Sequence, residues 1–260
     1  MSKKRIVVII PARMAASRFP GKPLAKIMEL PMIEHVRRRA CLSKTIDEVY
    51  VATCDEEIYK IVKQLGGKAI MTSDSHQRCT DRVEEAAQKI ETTVVVIIQG
   101  DEPLFDPAIL DGLVSPFIKN EEIQCVNLLS RIAEENDLVD IDIVKAVINN
   151  NNQVMYYSRA PIPYFRIKNE CPMYRQTGIS AFTKTFLHKF SHLAPTLKEK
   201  AESIDFIRIL DHGFSILGVI YPKETVGVDR EDDIPKIEAI LRKDQFQQSI
   251  YRKILDFKTR

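Results

Sequence analysis

The sequence predicts an α/β protein built on a mainly parallel sheet with a smaller mixed lobe, and three observations carry that expectation. Short β-branched runs, RIVVII at 5–10, EVYVA at 48–52 and TVVVII at 93–98, read as strands, the first and last buried on both faces. Segments of helical periodicity lie between them. From about residue 143 the pattern changes to paired segments around an asparagine-rich turn. Strands alternating with helices imply a parallel sheet covered on both faces, with ligands gathered at the carboxyl ends of the strands.

Taken in order, the first strand is Arg5 to Ile10, ended by Pro11, and the first helix lies around Met32 to Leu42. The cycle repeats with a strand at Glu48 to Ala52, a helix at Glu56 to Leu65 stopped by Gly66-Gly67, and a strand at Lys68 to Met71. A helix at Asp81 to Ile90 then leads to the central strand Thr93 to Ile98. In a parallel sheet the loops after Ile10 and Ile98 leave on one edge and face one crevice. Further on, Ile143 to Ile148, the turn Asn149 to Asn152 and Val154 to Ser158 form a hairpin. Pro161, Pro163 and Pro172 punctuate the stretch after the hairpin, helices span Lys198 to Leu210 and Asp232 to Leu241, and a charged tail runs to Arg260. The expected organisation is one domain over 1–260, with a core at 1–130, a smaller lobe at about 130–220 and a C-terminal segment at 221–260.

A chain of 260 residues buries a self-sufficient core. Lys plus Arg total 38 against 36 Asp plus Glu, so no overall field draws the protein to nucleic acid or to an anionic membrane. Any phosphate binding must come from local clusters. The five cysteines are scattered, without a C-x-x-C pair or a histidine at metal-ligand spacing, and read as reduced thiols. The apolar run Ile6 to Ile10 is too short for a signal-peptide core or a membrane span, and a soluble cytoplasmic protein is expected.

Three loops carry the chemistry. The first, Pro11-Ala12-Arg13-Met14-Ala15-Ala16-Ser17-Arg18-Phe19-Pro20-Gly21-Lys22-Pro23-Leu24, places Arg13, Arg18 and Lys22 just after a buried strand. Backbone amides and cations there can converge on a polyphosphate, without the spacing of a Walker A loop. A solvated basic surface loop is the alternative. The second, Gln99-Gly100-Asp101-Glu102-Pro103, sets a carboxylate on the same edge, suited to a magnesium ion that keeps waters and bridges to phosphates, or to a helix cap or Asx turn. In the third, Val226-Gly227-Val228-Asp229, Asp229 ends an extended segment and can add a second carboxylate, while Asp232 and Asp233 suit the dipole of the helix they open. The histidines show no metal spacing, Tyr156 and Tyr157 read as strand packing, and Lys145 can pair within its apolar strand.

In this order the three loops resemble the signature of the CMP-Kdo synthetases, the 3-deoxy-manno-octulosonate cytidylyltransferase family. MTSDSHQRCTDR at 71–82, IVKAVINNNNQVMYYSRAPIP at 143–163 and GISAF at 178–182 extend the resemblance over nearly the whole chain. It implies a Rossmann-like nucleotidyltransferase sheet, CTP and Mg2+, and attack of a sugar acid's anomeric hydroxyl on the α-phosphate with loss of pyrophosphate. Arg13, Arg18 and Lys22 match the triphosphate-binding positions, Pro11 and Ala12 belong with them to the nucleotide-binding set, Thr80 and Arg82 match the segment near cytosine, and Asp101 and Asp229 the metal-binding carboxylates. Gln99 and Arg159 match positions near the sugar acid.

The acceptor side departs from the family. Gln176 stands where the family usually has His, Ser180 replaces an aromatic residue, and Asp205-Phe206 replaces a Glu-Gln pair. Arg78-Cys79 stands in place of a small residue and a glycine. The acceptor is therefore expected to be Kdo or a modified ulosonic acid, with another acidic or phosphorylated compound, or a non-enzymatic nucleotide-binding role, as alternatives. A homodimer joined through the smaller lobe is also implied.

Overall fold

The computed structural model describes residues 4–15, 18–167, 171–222 and 226–257, so Ala16 and Ser17 of the first loop lie outside the described residues. In chain order the elements are β1 (Ile6–Ala12), the short antiparallel pair β2 (Lys26–Ile27) and β3 (Leu30–Pro31), α1 (Met32–Ala40), β4 (Glu48–Thr53), α2 (Glu56–Gln64), β5 (Lys68–Met71), α3 (Cys79–Gln88), β6 (Val94–Ile98) and α4 (Ala108–Lys119). The chain continues through β7 (Cys125–Arg131), α5 (Glu135–Val139), β8 (Lys145–Ile148), β9 (Val154–Ser158), β10 (Tyr174–Thr183), α6 (Lys184–Ser191), α7 (Leu197–Glu202), α8 (Phe206–Asp211), β11 (Leu217–Tyr221), α9 (Ile234–Lys243) and α10 (Gln245–Leu255). This is the α/β class expected. Residues 1–111 with 225–260 form one compact unit, and residues 112–224 form another.

In the first unit β6, β1, β4 and β5 pair in parallel, with Val8 opposite Val96 and Val49. Every residue of β1 and β6 is buried, which explains the unbroken β-branched runs Ile6 to Ile10 and Val94 to Ile98 within them. β5, at the end of this ladder, keeps exposed Lys68 and Met71. Because β1 and β6 are parallel neighbours, both chains leave at the same edge. Helix α1 is buried along its whole length, and Glu34, Arg37 and Arg38 are paired there, whereas Arg39 gives only Nη1 to an acceptor, the Phe105 carbonyl at 3.1 Å. Glu34 accepts two bonds from Arg37, at 2.6 and 2.7 Å, and one from Arg38 at 2.7 Å.

The charged tail expected at the C-terminus is instead the helix α10. Ile250, Tyr251 and Ile254 recur at helical spacing and join Phe19, Leu104, Val228, Ile237 and Leu241 in one buried cluster. Asp244 caps this helix by accepting from the Gln247 amide at 3.0 Å. The preceding helix begins with a 3-10 turn at Glu231–Asp233 and becomes α-helical only from Ile234, where Pro235 suits a first turn.

The second unit contains the predicted hairpin. β8 and β9 pair antiparallel, and Asn149 Oδ1 accepts from the amides of Asn151 and Gln153 at 2.9 and 3.0 Å, which organises the turn. β7 pairs antiparallel with β10 and parallel with β11. The single helix expected over Lys198 to Leu210 is broken into α7 and α8. Ser203 takes a left-handed conformation with φ 54°, and the Glu202 carbonyl, which a continuous helix would give to the Phe206 amide, accepts from Arg159 Nε at 2.8 Å. Among the described residues no helix is long and apolar enough to cross a membrane.

One buried histidine links this core to pH. His35 Nε2 lies 2.9 Å from the Ile27 carbonyl, which can only accept, so Nε2 carries the proton and Nδ1 is left unpartnered. The ring stacks on Tyr251 with centroids 5.5 Å apart. Burial, opposed by the Ile27 carbonyl and reinforced by Arg39 and Arg38, lowers its pKa from 6.5 to about 4. The unfolded chain thus takes up this proton before the folded one does. The resulting stabilisation is complete above pH 6.5 and is lost as pH falls toward 4, by ~3 kcal/mol in all. Replacing His35 by Gln, which cannot take up a proton, is expected to flatten the fall in unfolding free energy between pH 7 and 4.5, measured by urea denaturation.

Candidate active site

Three loops meet at the carboxyl edge of the first unit's sheet. The first leaves β1 after Ala12 and is tied down twice. The Met14 amide donates to Asp55 Oδ2 at 2.8 Å, and the Gly21 amide returns to the Met14 carbonyl at 3.0 Å. Gly21 sits at φ 75°, where a side chain would be strained, and starts a 3-10 turn over Lys22–Leu24. Buried Phe19 anchors the loop in the cluster formed with α9 and α10. Lys22 is thereby fixed, while Arg13 and Arg18 remain exposed.

The second loop follows β6. A Cβ at Gly100 would lie 3.3 Å from the Pro11 carbonyl oxygen and 3.5 Å from Ile33 Cδ1, so glycine lets this turn press against the end of β1. The third loop docks on the second through its backbone. The Val228 amide donates to the Asp101 carbonyl at 2.9 Å, and Val228 itself is buried in the apolar cluster. Asp233 Oδ2 then accepts from the Asp229 and Arg230 amides at 3.0 and 2.9 Å. Although burial works the other way, these amides and Lys236 hold its carboxyl below the ordinary value.

Lys22 joins all three loops. Its Nζ donates to Asp101 Oδ2 at 2.6 Å and to the Val228 carbonyl at 3.0 Å. Beside it, Arg18 Nη2 lies 2.9 Å from Asp229 Oδ1. The Arg18–Asp229 side chains are 50% and 59% exposed, against 16% and 35% for Lys22–Asp101, so the first pair is weak and the second is the constraint. Among the described residues no group of three or more His, Cys, Asp or Glu is placed to hold a metal. A metal here would rest on two aspartates and on oxygens of its ligand.

The other predicted residues have these places. Pro11 and Ala12 are the buried last residues of β1. Thr80 is buried in α3, and Arg82 donates to Thr72 Oγ1 at 2.6 Å and to the Ser73 carbonyl at 3.3 Å, holding the segment before that helix. Gln99 Nε2 lies 3.0 Å from Cys79 Sγ. Within the second unit, Arg159 donates through Nη1 to the Ile141 carbonyl at 2.7 Å as well as to Glu202. Gln176 and Ser180 flank an irregularity in β10, where Thr177 Oγ1 reaches the Leu128 carbonyl at 2.8 Å and Asn127 Nδ2 the Ile179 carbonyl at 3.0 Å. Asp205 precedes α8, and the Phe206 ring packs against Phe182, Tyr157 and Phe190 at centroid distances of 5.7, 6.1 and 6.2 Å. Tyr157 is buried strand packing as expected, with its hydroxyl 2.9 Å from Asn127 Oδ1, and Lys145 spends its ammonium on the Asp140 and Ile143 carbonyls.

Sequence reasoning missed the backbone of Val228 and the capping role of Asp233 toward Asp229. Neither carries a local signal, since the first contact joins residues far apart in the chain and the second needs the loop's path.

Known proteins resemble this chain over nearly its whole length. The cytidylyltransferase family model matches residues 7–218. The 3-deoxy-manno-octulosonate cytidylyltransferase of Geobacter metallireducens is 38% identical over 244 residues, 90% of this chain and 96% of its own. The 8-amino-3,8-dideoxy-manno-octulosonate cytidylyltransferase of Shewanella piezotolerans is 39% identical over 243 residues, 92% of this chain and 99% of its own. A solved CMP:2-keto-3-deoxy-manno-octonic acid synthetase complexed with CTP is 33% identical with a TM-score of 0.88, covering 92% of this chain and 99% of the other. Loop geometry and kinship agree: the chain is a nucleotidyltransferase and belongs to the cytidylyltransferase family, among the CMP-Kdo synthetases.

Proposed function

We propose that the protein transfers CMP from CTP to the anomeric hydroxyl of a Kdo-like 3-deoxy-octulosonic acid and releases pyrophosphate. The observation that supports this most directly is the convergence of Lys22, Asp101 and the Val228 backbone at one sheet edge, with Arg18 and Asp229 beside them. Two carboxylates on neighbouring loops fit a hard cation such as Mg2+, which takes one or two carboxylates and completes its shell with water and phosphate oxygens. Held by Asp101 and Asp229, it would supply Lewis acidity toward the phosphates.

The chain's own cations do the remaining electrostatic work. Arg13, Arg18 and Lys22 lie along one loop and would offset charge that builds on the triphosphate as the sugar oxygen bonds to the α-phosphorus and pyrophosphate leaves. Lys22 is held by a carbonyl as well as a carboxylate, so it keeps an anchor when phosphate competes for it. Pro11 and Ala12 would border the nucleotide, Thr80 and Arg82 would shape its base end, and Gln99 and Arg159 would meet the sugar acid.

For the acceptor we propose an altered Kdo rather than Kdo itself. Phe206 is spent on aromatic packing and Ser180 is buried, so two positions that bear hydrogen-bonding or aromatic groups in the family offer something different here. One of the related enzymes is named for an amino-substituted sugar, and it is as similar to this chain as one named for Kdo. The chain carries thiols rather than disulfides, and we place it in the cytoplasm. Exposed Val139, Ile141, Met155, Tyr164 and Leu197 of the second unit support a homodimer that covers them.

Each of Asp101→Asn and Asp229→Asn is expected to lower pyrophosphate release on the order of 10²-fold or more while leaving the circular dichroism spectrum unchanged. The double variant should lose little more than either single one, because both serve one site. Normal turnover by a folded single variant contradicts the assignment. Catalytic efficiency with CTP is expected to be higher for 8-amino-Kdo, or for another singly altered Kdo, than for Kdo; Kdo as the best substrate overturns the altered acceptor. Light scattering at micromolar concentration should give twice the mass of the chain, and a monomer removes the dimer.

A further inference from the structure

Gln99 is held from two directions. Behind it the backbone at Gly100 runs close to the end of β1, where an added Cβ would lie 3.3 Å from the Pro11 carbonyl oxygen. From the side its Nε2 lies 3.0 Å from Cys79 Sγ. Cys79 is the first residue of α3, is partly exposed, and stands 20 positions from its partner in the sequence. The residue before it, Arg78, makes no side-chain capping bond, so the start of this helix is not organised in the ordinary way through a polar cap.

An amide is planar, and fixing one end fixes the other. With a hydrogen of Nε2 on sulfur, the terminal torsion of Gln99, otherwise broad, is restrained, and Oε1 is set at the opposite end as an acceptor. We propose that Cys79 is a positioning residue for the acceptor half of the reaction. Its sulfur orients the Gln99 carboxamide so that the amide oxygen receives a donor of the incoming sugar acid, a hydroxyl or a protonated amine. This rests on the reading of Gln99 as an acceptor-binding residue. It adds the group that sets its orientation and the kind of partner it selects.

Steady-state kinetics of the full chain with CTP and with Kdo or 8-amino-Kdo test the proposal. Cys79→Ala should lower kcat/KM for the sugar acid about three- to tenfold, the range for one lost hydrogen bond, while KM for CTP changes less than about twofold. Cys79→Ser, which keeps an acceptor, should recover most of the loss; Cys79→Val, close in shape but unable to accept, should not. In a Gln99→Ala background Cys79→Ala should cost nothing further. Unchanged acceptor kinetics in both Cys79→Ala and Cys79→Val, equal effects on CTP and sugar acid, or losses that add to those of Gln99→Ala overturn it. If Cys79→Ala lowers Tm, Cys79→Val and Cys79→Ser carry the same comparison. The failures are distinguishable: an enzyme inactive with every ulosonic acid sinks the proposed function, whereas a Gln99→Ala defect beside a normal Cys79→Ala sinks only the role of the thiol.

Discussion

The contact on which the site depends is a single ammonium shared by three loops. Lys22 Nζ binds a side-chain oxygen of Asp101 and a backbone oxygen of Val228, and the Val228 amide in turn binds the Asp101 carbonyl. A cation that bridges two acceptors loses rotational freedom once and makes two charge-assisted bonds for it. What keeps the three backbones within reach is apolar. Phe19, Leu104 and Val228 are neighbours of these loops in sequence, and all three lie in the cluster built on α9 and α10. The helices that end the chain therefore act on the loop that opens it, and polar tips are presented by hydrophobic roots.

Much of this was legible in the sequence, and the limits have physical causes. RIVVII and TVVVII announce buried strands because nothing but a doubly covered sheet accommodates such runs. The order of strands and helices then puts the basic loop and Asp101 on one edge before any coordinate is known. α10 was missed because Gln, Arg and Lys crowd QFQQSIYRKIL and mask the helical spacing of Ile250, Tyr251 and Ile254, although that spacing was there to be counted. The break at Ser203 could not be read at all. It arises from a demand made on the Glu202 carbonyl by Arg159, a residue 43 positions away.

The second unit shows how side chains complete a ladder that its own backbone leaves irregular. Where β10 shifts register between Gln176 and Ser180, Thr177 and Asn127 supply hydrogen bonds to Leu128 and Ile179, and Tyr157 fixes Asn127 in turn. A polar network among aromatic neighbours is tolerated only when its members are satisfied. The burial of Tyr157 and the packing of Phe206 on its ring belong to this arrangement. Glu202 extends the same logic, since its carboxylate takes the Ser158 hydroxyl and the Arg159 amide at 2.6 and 2.9 Å. Residues that a motif comparison assigns to ligand are here also structural, which limits how freely each can change.

The two ion pairs that join the site's loops, Arg18–Asp229 and Lys22–Asp101, differ in a way that matters for any anion arriving there. Arg18 and Asp229 are both at least half exposed, and opening such a pair costs about 0–1 kcal/mol. Arg18 can turn toward phosphate and leave Asp229 to a cation at little expense. Lys22 and Asp101 are more enclosed, and separating them outright would strand charge in a partly desolvated place. The Val228 carbonyl removes that difficulty, because Lys22 can exchange its carboxylate for a phosphate oxygen and still keep one acceptor. The loop therefore combines one cation that is easy to redirect with one that hardly has to move, and under the proposed function the first would act toward a triphosphate as a flexible clamp and the second as a fixed reference charge.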